Sequence, residues 1–115
     1  MTFRLLFLFL LSAPVLAQKM APKPPVNIIF DTDIGPDYDD VGAITMLHAL
    51  ADSGRVTILA TVASNQSKYI GPTLSVMNTY FGRPNLPIGV VRGRAVNLTA
   101  VQKWDSVLVA RYPHA

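Results

Sequence analysis

The chain has 115 residues, enough for one small domain and too few for two. Half of them are apolar, which excludes a disordered tail, and cysteine is absent, which excludes a disulfide framework, a thiolate metal site and a cysteine nucleophile. The formal charge of +3 reflects few acids rather than a basic stripe. Arg92 and Arg94 are the closest basic pair, so nucleic acid is not an expected partner.

In chain order, Arg4 is followed by an unbroken apolar run, Leu5 to Leu11. Pro14 breaks the run, and Val15-Leu16-Ala17 offers an A-x-A-like cleavage site. Leu5 to Ala17 is short for a bilayer span. The pattern predicts a secretory signal peptide over residues 1–17, with an uncleaved anchor as the alternative. The mature chain would begin at Gln18 with no stable membrane anchor, secreted or periplasmic. No Cys follows the run, so a lipoprotein is excluded.

Residues 18–25 form a linker, kept extended by Pro22, Pro24 and Pro25. Val26 to Phe30 barely alternates and predicts a strand buried on both faces. Asp39 to Ser53 predicts a helix with Val41, Ile44, Leu47 and Leu50 on one face, closed by Ser53-Gly54. Val56 to Val62 is a second apolar, β-branched run, so a second buried strand. Ser67 to Phe81 predicts a helix carrying Ile70, Leu74, Met77 and Phe81, with Gly71-Pro72 interrupting its first turns. Ile88 to Val91 predicts a third strand, and Leu98 to Tyr112 a helix carrying Val101, Trp104, Leu108 and Tyr112. Alternating strands and helices predict an α/β fold, an open parallel, Rossmann-like sheet with flanking helices. Three strands alone would leave an uncovered edge, which favours association or aggregation; separately, a homo-oligomer is one expectation for the complete protein.

Asp31 to Ala43, DTDIGPDYDDVGA, carries five of the seven acidic residues: Asp31, Asp33, Asp37, Asp39 and Asp40. They lie where the first strand ends and a helix begins. Asn65 follows the second strand, so both arrive at the sheet edge where such folds bind ligands. Clustered carboxylates need a cation, strong donors or a retained proton. The bland reading is an Asp-rich turn with an N-capped helix. Three chemical readings compete with it. In one, Asp33 and Asp40 hold Ca²⁺, Asp33 takes a proton from a metal-bound water, and Asp39 and Asn65 bind sugar hydroxyls. In the second, Asp31-Thr32-Asp33 is the DxD of an aspartate-nucleophile phosphatase, with Asp31 attacking phosphorus. Gly35-Pro36 fits that pattern poorly. In the third the stretch is a structural Ca²⁺ loop; an EF-hand needs a preceding helix and a Glu at its twelfth position, where Gly42 stands.

The string DTDIGPDYDDVGA after VNIIF closely resembles the N-terminal signature of the inosine–uridine-preferring nucleoside hydrolases. Val62-Ala63-Ser64-Asn65 is similar to their second segment, a strand ending in a turn with a sugar-binding Asn. The resemblance runs from Val26 to Val91 and more loosely to Tyr112. It implies Ca²⁺-dependent hydrolysis of the N-glycosidic bond of a nucleoside or other N-riboside. Asp33 matches the general base and Ca²⁺ ligand, Asp40 a second ligand, Asp39 and Asn65 ribose-binding groups, and Asp31 an acid supporting the metal from behind. Ile34 replaces the common Pro, and Pro36-Asp37-Tyr38 lengthens the loop by two residues. Asp37 is therefore the competing assignment for the pair, and it is given no role. The resemblance covers roughly the first third of such a domain, since single domains can run to a few hundred residues. The chain is expected to be an incomplete, inactive fragment lacking a later Asp ligand, a carbonyl ligand and a leaving-group His. His48 and His114 are expected to be solvated or packed, and Trp104, Tyr80 and Phe81 to be core or interface aromatics.

Overall fold

The computed structural model describes residues 23–115; the expected signal peptide and the first part of the linker lie outside the described residues. Six elements follow in order: β1 (Val26–Thr32), α1 (Asp39–Asp52), β2 (Val56–Ala63), α2 (Ile70–Tyr80), β3 (Ile88–Gly89) and α3 (Trp104–Arg111). The three strands form one parallel sheet in the order β1-β2-β3. The expected α/β class, an open parallel sheet with flanking helices, is the observed one.

The strand order decides which face is covered. Each crossover steps the same way across the sheet, and crossovers of one hand put both helices on one side. Side chains from α1, α2 and β2 do meet there: His48 bonds Asn78, and Asn78 bonds Thr61. The other face has no layer among the described residues. The expectation that β1 and β2 are buried on both faces is therefore corrected. Ile29 is 62% exposed, while its neighbours Ile28 and Phe30 pack into the core.

In β2 a bulge hid the alternation. Ile28 pairs with Ile58 but Ile29 pairs with Ala60, leaving Leu59 as the extra residue. Val56 and Ile58 are buried before the bulge and Thr61 and Ala63 after it. The buried phase thus moves from even to odd positions, and the summed run reads as continuously apolar.

The core has two centres. Ile34, Ile44, Ala63, Ile70, Leu74 and Met77 form one, with Phe30, Val41 and Trp104 packed against it. Leu47, Val56 and Ile58 form the other, flanked by Ile28, Leu50 and Leu86. Full burial of each large aliphatic side chain contributes about 1.5–3 kcal/mol. The predicted stripe of α1 is the one that packs. α1 ends in a Schellman turn: Gly54 takes φ +72°, its N–H donates to Ala51 O, and Arg55 N–H donates to Leu50 O.

Three boundaries differ from expectation. α2 begins at Ile70, not Ser67, because Ser67 N–H is held by the Asn65 side chain and Ser67 O accepts from Ile70 N–H. Gly71-Pro72 opens the helix rather than interrupting it, since first-turn N–H groups have no intrahelical partner. β3 is two residues long. α3 begins at Trp104, not Leu98. Leu98 has its N–H and carbonyl bonded to Asn65, and Lys103 takes φ +58°, a left-handed conformation outside any helix. No described helix is long and apolar enough to cross a membrane.

His48 is fully buried and stacks on Phe81 with ring centroids 4.7 Å apart. Of its two expected roles, packing is the one that the structure gives it. Arg83 Nη1, a donor only, lies 3.3 Å from His48 Nδ1, so Nδ1 is the acceptor. Nε2 then carries the hydrogen and donates to Asn78 Oδ1 at 3.1 Å. Asn78 Nδ2 donates to Thr61 Oγ1 at 3.0 Å. The chain of bonds fastens α1 to α2 and β2, with Asp52 holding Arg83 from outside.

Candidate functional site

β1 delivers Asp31 and Thr32 to the C-terminal edge of the sheet, and the chain turns through residues 33–38 into α1. Thr32 is buried and its Oγ1 accepts the Ile34 N–H at 2.9 Å, which starts the turn. Ile34 then drops into the core, fully buried. Space at Gly35 is tight. A Cβ there would lie 2.9 Å from Ile70 Cδ1, itself fully buried. The loop is thus anchored by Ile34 and presents its acids outward.

The acids fall into two pairs. Asp33 and Asp40 are both half-buried, and Asp33 and Thr32 lie near enough to Asp40 to perturb its carboxyl. Burial raises the Asp40 pKa above the ordinary value, and Asp33 and Asp39 raise it further. Asp37 and Asp39, both exposed, form the second pair. Their contact raises Asp37 and lowers Asp39, and the Asp40 N–H helps to hold Asp39 ionised. The acids are not used as the helix cap: Tyr38 occupies the N-cap and no side chain caps the helix. The bland reading of an N-capped turn therefore lacks its cap.

Asp31 sits apart. It is exposed at the end of β1 and does not figure among the groups that perturb Asp37, Asp39 or Asp40. Asn65 is 2% exposed, and its amide is fully engaged by backbone. Nδ2 donates to Asp33 O at 3.1 Å and to Leu98 O at 2.7 Å. Oδ1 accepts from Ser67 N–H at 3.0 Å and from Leu98 N–H at 3.2 Å. With two donors and two acceptor positions all used, Asn65 has no free group for a sugar hydroxyl in this arrangement. A direct ribose contact does not fit this geometry.

Two features escaped sequence reasoning. Trp104, 69 residues along the chain from Gly35, donates its indole N–H to Gly35 O at 3.0 Å and packs 5.7 Å from the Tyr38 ring. Residues 96–98 run alongside Asn65, with Gln66 N–H bonded to Val96 O. Neither contact has a local signal; only the lone tryptophan, an expensive residue to leave unpartnered, hinted at one.

The fit to a divalent cation is partial. Asp33 and Asp40 are neighbouring carboxylates, the donor type a hard cation takes, against the six to eight oxygens typical of Ca²⁺. Among the described residues no group of three or more His, Asp or Glu side chains is arranged to hold a metal. Any further donors would be water, substrate or protein beyond these residues.

Fold and edge together define an open parallel α/β domain with a carboxylate cluster at the C-terminal edge of its sheet. In comparisons with known proteins the chain matches no protein-family model, no curated protein and no solved structure.

Proposed function

We propose that the acidic loop is part of the site of a Ca²⁺-assisted N-ribosyl hydrolase, exported from the cytoplasm, acting on nucleosides or related N-ribosides as the complete protein. The observation that carries this reading is the placement of Asp33 and Asp40 together at the C-terminal edge of the sheet, in a loop whose sequence resembles the nucleoside hydrolase signature. Bound Ca²⁺ would be held by Asp33 and Asp40 and would supply positive charge that makes water at the site more acidic. Asp33 would take the proton of an attacking water at its carboxylate. Asp39, exposed and with its pKa lowered, would accept hydrogen bonds from ribose hydroxyls and stabilise the positive charge that develops on the sugar. Asp31 shapes the negative field at the edge. Asn65 fixes the backbone of Asp33 and Leu98 instead of touching sugar.

The test is ribose release from inosine and uridine by the complete protein, wild type against Asp33→Ala. Loss of release by 10²-fold or more with an unchanged circular dichroism spectrum supports the reading, the scale expected for a general base. No release by the wild type, with melting that still depends on Ca²⁺, would leave a structural Ca²⁺ loop and sink the enzyme.

A further inference from the structure

A cavity of about 250 Å³ opens between the turn from β2 into α2 and Val90-Val91, directly after β3. It therefore lies at the C-terminal edge of the sheet. No acidic residue lines it, and Lys68 brings a positive charge. Ser67 lines it too and is 8% exposed, so more than nine-tenths of the residue is buried. The Ser67 N–H donates to Asn65 Oδ1 and its carbonyl accepts from Ile70 N–H, but its Oγ has no partner among the described residues. The Thr73 and Thr79 hydroxyls lack partners as well, yet those are sealed inside the protein, and the Ser67 hydroxyl is not. A largely buried hydroxyl left unpaired is costly, unless something in the adjoining space bonds it. The main chain adds donors. α2 starts here without a side-chain cap and without an acid in its first turn. Pro72 has no N–H, and those of Lys68 and Gly71 have no main-chain partner among the described residues. A Cβ at Gly71 would lie 2.8 Å from Val90 Cγ1, which belongs to the same cavity wall, so glycine keeps this space open.

We propose that this cavity binds a phosphate group, free or carried on a small ligand, with the partnerless Ser67 hydroxyl as its central donor. The groups on offer are that hydroxyl, the N–H groups of Lys68 and Gly71, and the Lys68 ammonium. A phosphate has acceptor oxygens enough for all of them. The positive end of the α2 dipole favours negative charge here. A cation meets the same field with the wrong sign, and an apolar ligand would leave the Ser67 hydroxyl unpaired. A volume of about 250 Å³ equals that of roughly eight waters, more than a phosphate group alone occupies, so a carrier such as a sugar has room. None of these donors belongs to the acidic loop, and the site does not rest on the cation reading above.

The test is a titration of the full chain with sodium phosphate, chloride replacing it in the reference, read by the amide resonances. Those of Lys68 and Gly71 should shift and saturate, while those around Arg55, at the opposite edge of the sheet, stay in place. Ser67→Ala should weaken phosphate binding about tenfold or more, the loss of one hydrogen bond to a charged group. Its melting temperature without phosphate should match the wild type, because that hydroxyl has no partner to lose. Lys68→Gln, at an exposed position, should weaken binding more at low ionic strength than at high. Arg55→Gln makes the same charge change at the other edge and should leave binding as it is. The site is overturned by the absence of saturable shifts at Lys68 and Gly71, or by equal affinity in wild type and Ser67→Ala. It is also overturned by a lowered melting temperature of Ser67→Ala, which would assign the hydroxyl to the fold, or by an Arg55→Gln effect as large as that of Lys68→Gln. A parallel titration with ribose 5-phosphate identifies the source. Tighter binding than phosphate means that the group arrives on a sugar, equal or weaker binding means free phosphate, and the site stands in both cases.

Discussion

Asn65 holds four backbone groups at once, from three separate stretches of chain. Asn65→Ala would leave the Asp33 and Leu98 carbonyls and the Ser67 and Leu98 N–H groups without these partners. Each buried group left unpaired costs about 1–3 kcal/mol, and water recovers part of it. The expected loss is about 2–4 kcal/mol, measurable by urea unfolding, well beyond what losing a solvent-facing sugar ligand would cost. His48 supports a second prediction at this scale. Burial lowers its pKa, and the Arg83 guanidinium beside Nδ1 lowers it further against the opposing Asn78 bond. The fold therefore prefers neutral imidazole. The stability this gives is complete above the unfolded-state value and is lost as pH falls below about 6.5. Stability of the wild type should decline on acidification from that point, and His48→Gln should flatten that part of the profile in thermal melts taken across the range. The acids and Asn65 could be picked out as site residues because residue type and position after a strand suffice for that. Which atoms Asn65 bonds could not, since its partners lie 32 and 33 positions away.

At the scale of elements, the turn from β1 into α1 combines an apolar anchor with unfavourable charge. Asp40 is raised by burial and by its acidic neighbours, so its ionised form works against the fold. A group raised in this way contributes stability at low pH that is lost as pH rises through the carboxylate range. Asp40→Asn should therefore raise the melting temperature at neutral pH in a chelator. The same substitution should abolish any increment that Ca²⁺ gives the wild type, which differential scanning fluorimetry with and without the ion will show. A wild type that melts at the same temperature in Ca²⁺ and in chelator would argue against the cation. Helices α1 and α2 were visible in the sequence because a one-sided stripe must pack whatever it meets. The start of α3 was misplaced because Val101 and Leu98 continue a helical spacing that Lys103 and the Asn65 bonds to Leu98 interrupt.

For the molecule as a whole, the consequence lies in the one-sided sheet. Ile58 is 8% exposed on the covered face and its neighbour Leu59 is 46% exposed. Ile58→Ala should cost about 2–4 kcal/mol, and Leu59→Ala less than about 1 kcal/mol, in parallel denaturant titrations of the chain. Equal costs would mean that the second face is packed after all. Exposed Ile29 and Leu59 beside an open strand edge also make this face prone to self-association. Substituting Ile29 by Lys should lower the tendency to associate in sedimentation runs with little change in stability.

The sequence by itself determined the α/β class, the order of the elements, the buried stripes of α1 and α2, and the concentration of acids at the C-terminal end of β1. Those follow from local periodicity and from chemistry carried by adjacent residues. Only the tertiary structure decided that one face of the sheet is covered, that a bulge at Leu59 resets the buried phase of β2, that the acids pair as Asp33 with Asp40 and Asp37 with Asp39, and that Asn65 and Trp104 hold the loop. Each of these depends on which distant segments the crossovers bring together. Spacing along a chain carries no record of that, because a hydrogen bond is set by distance in space and not by separation in sequence.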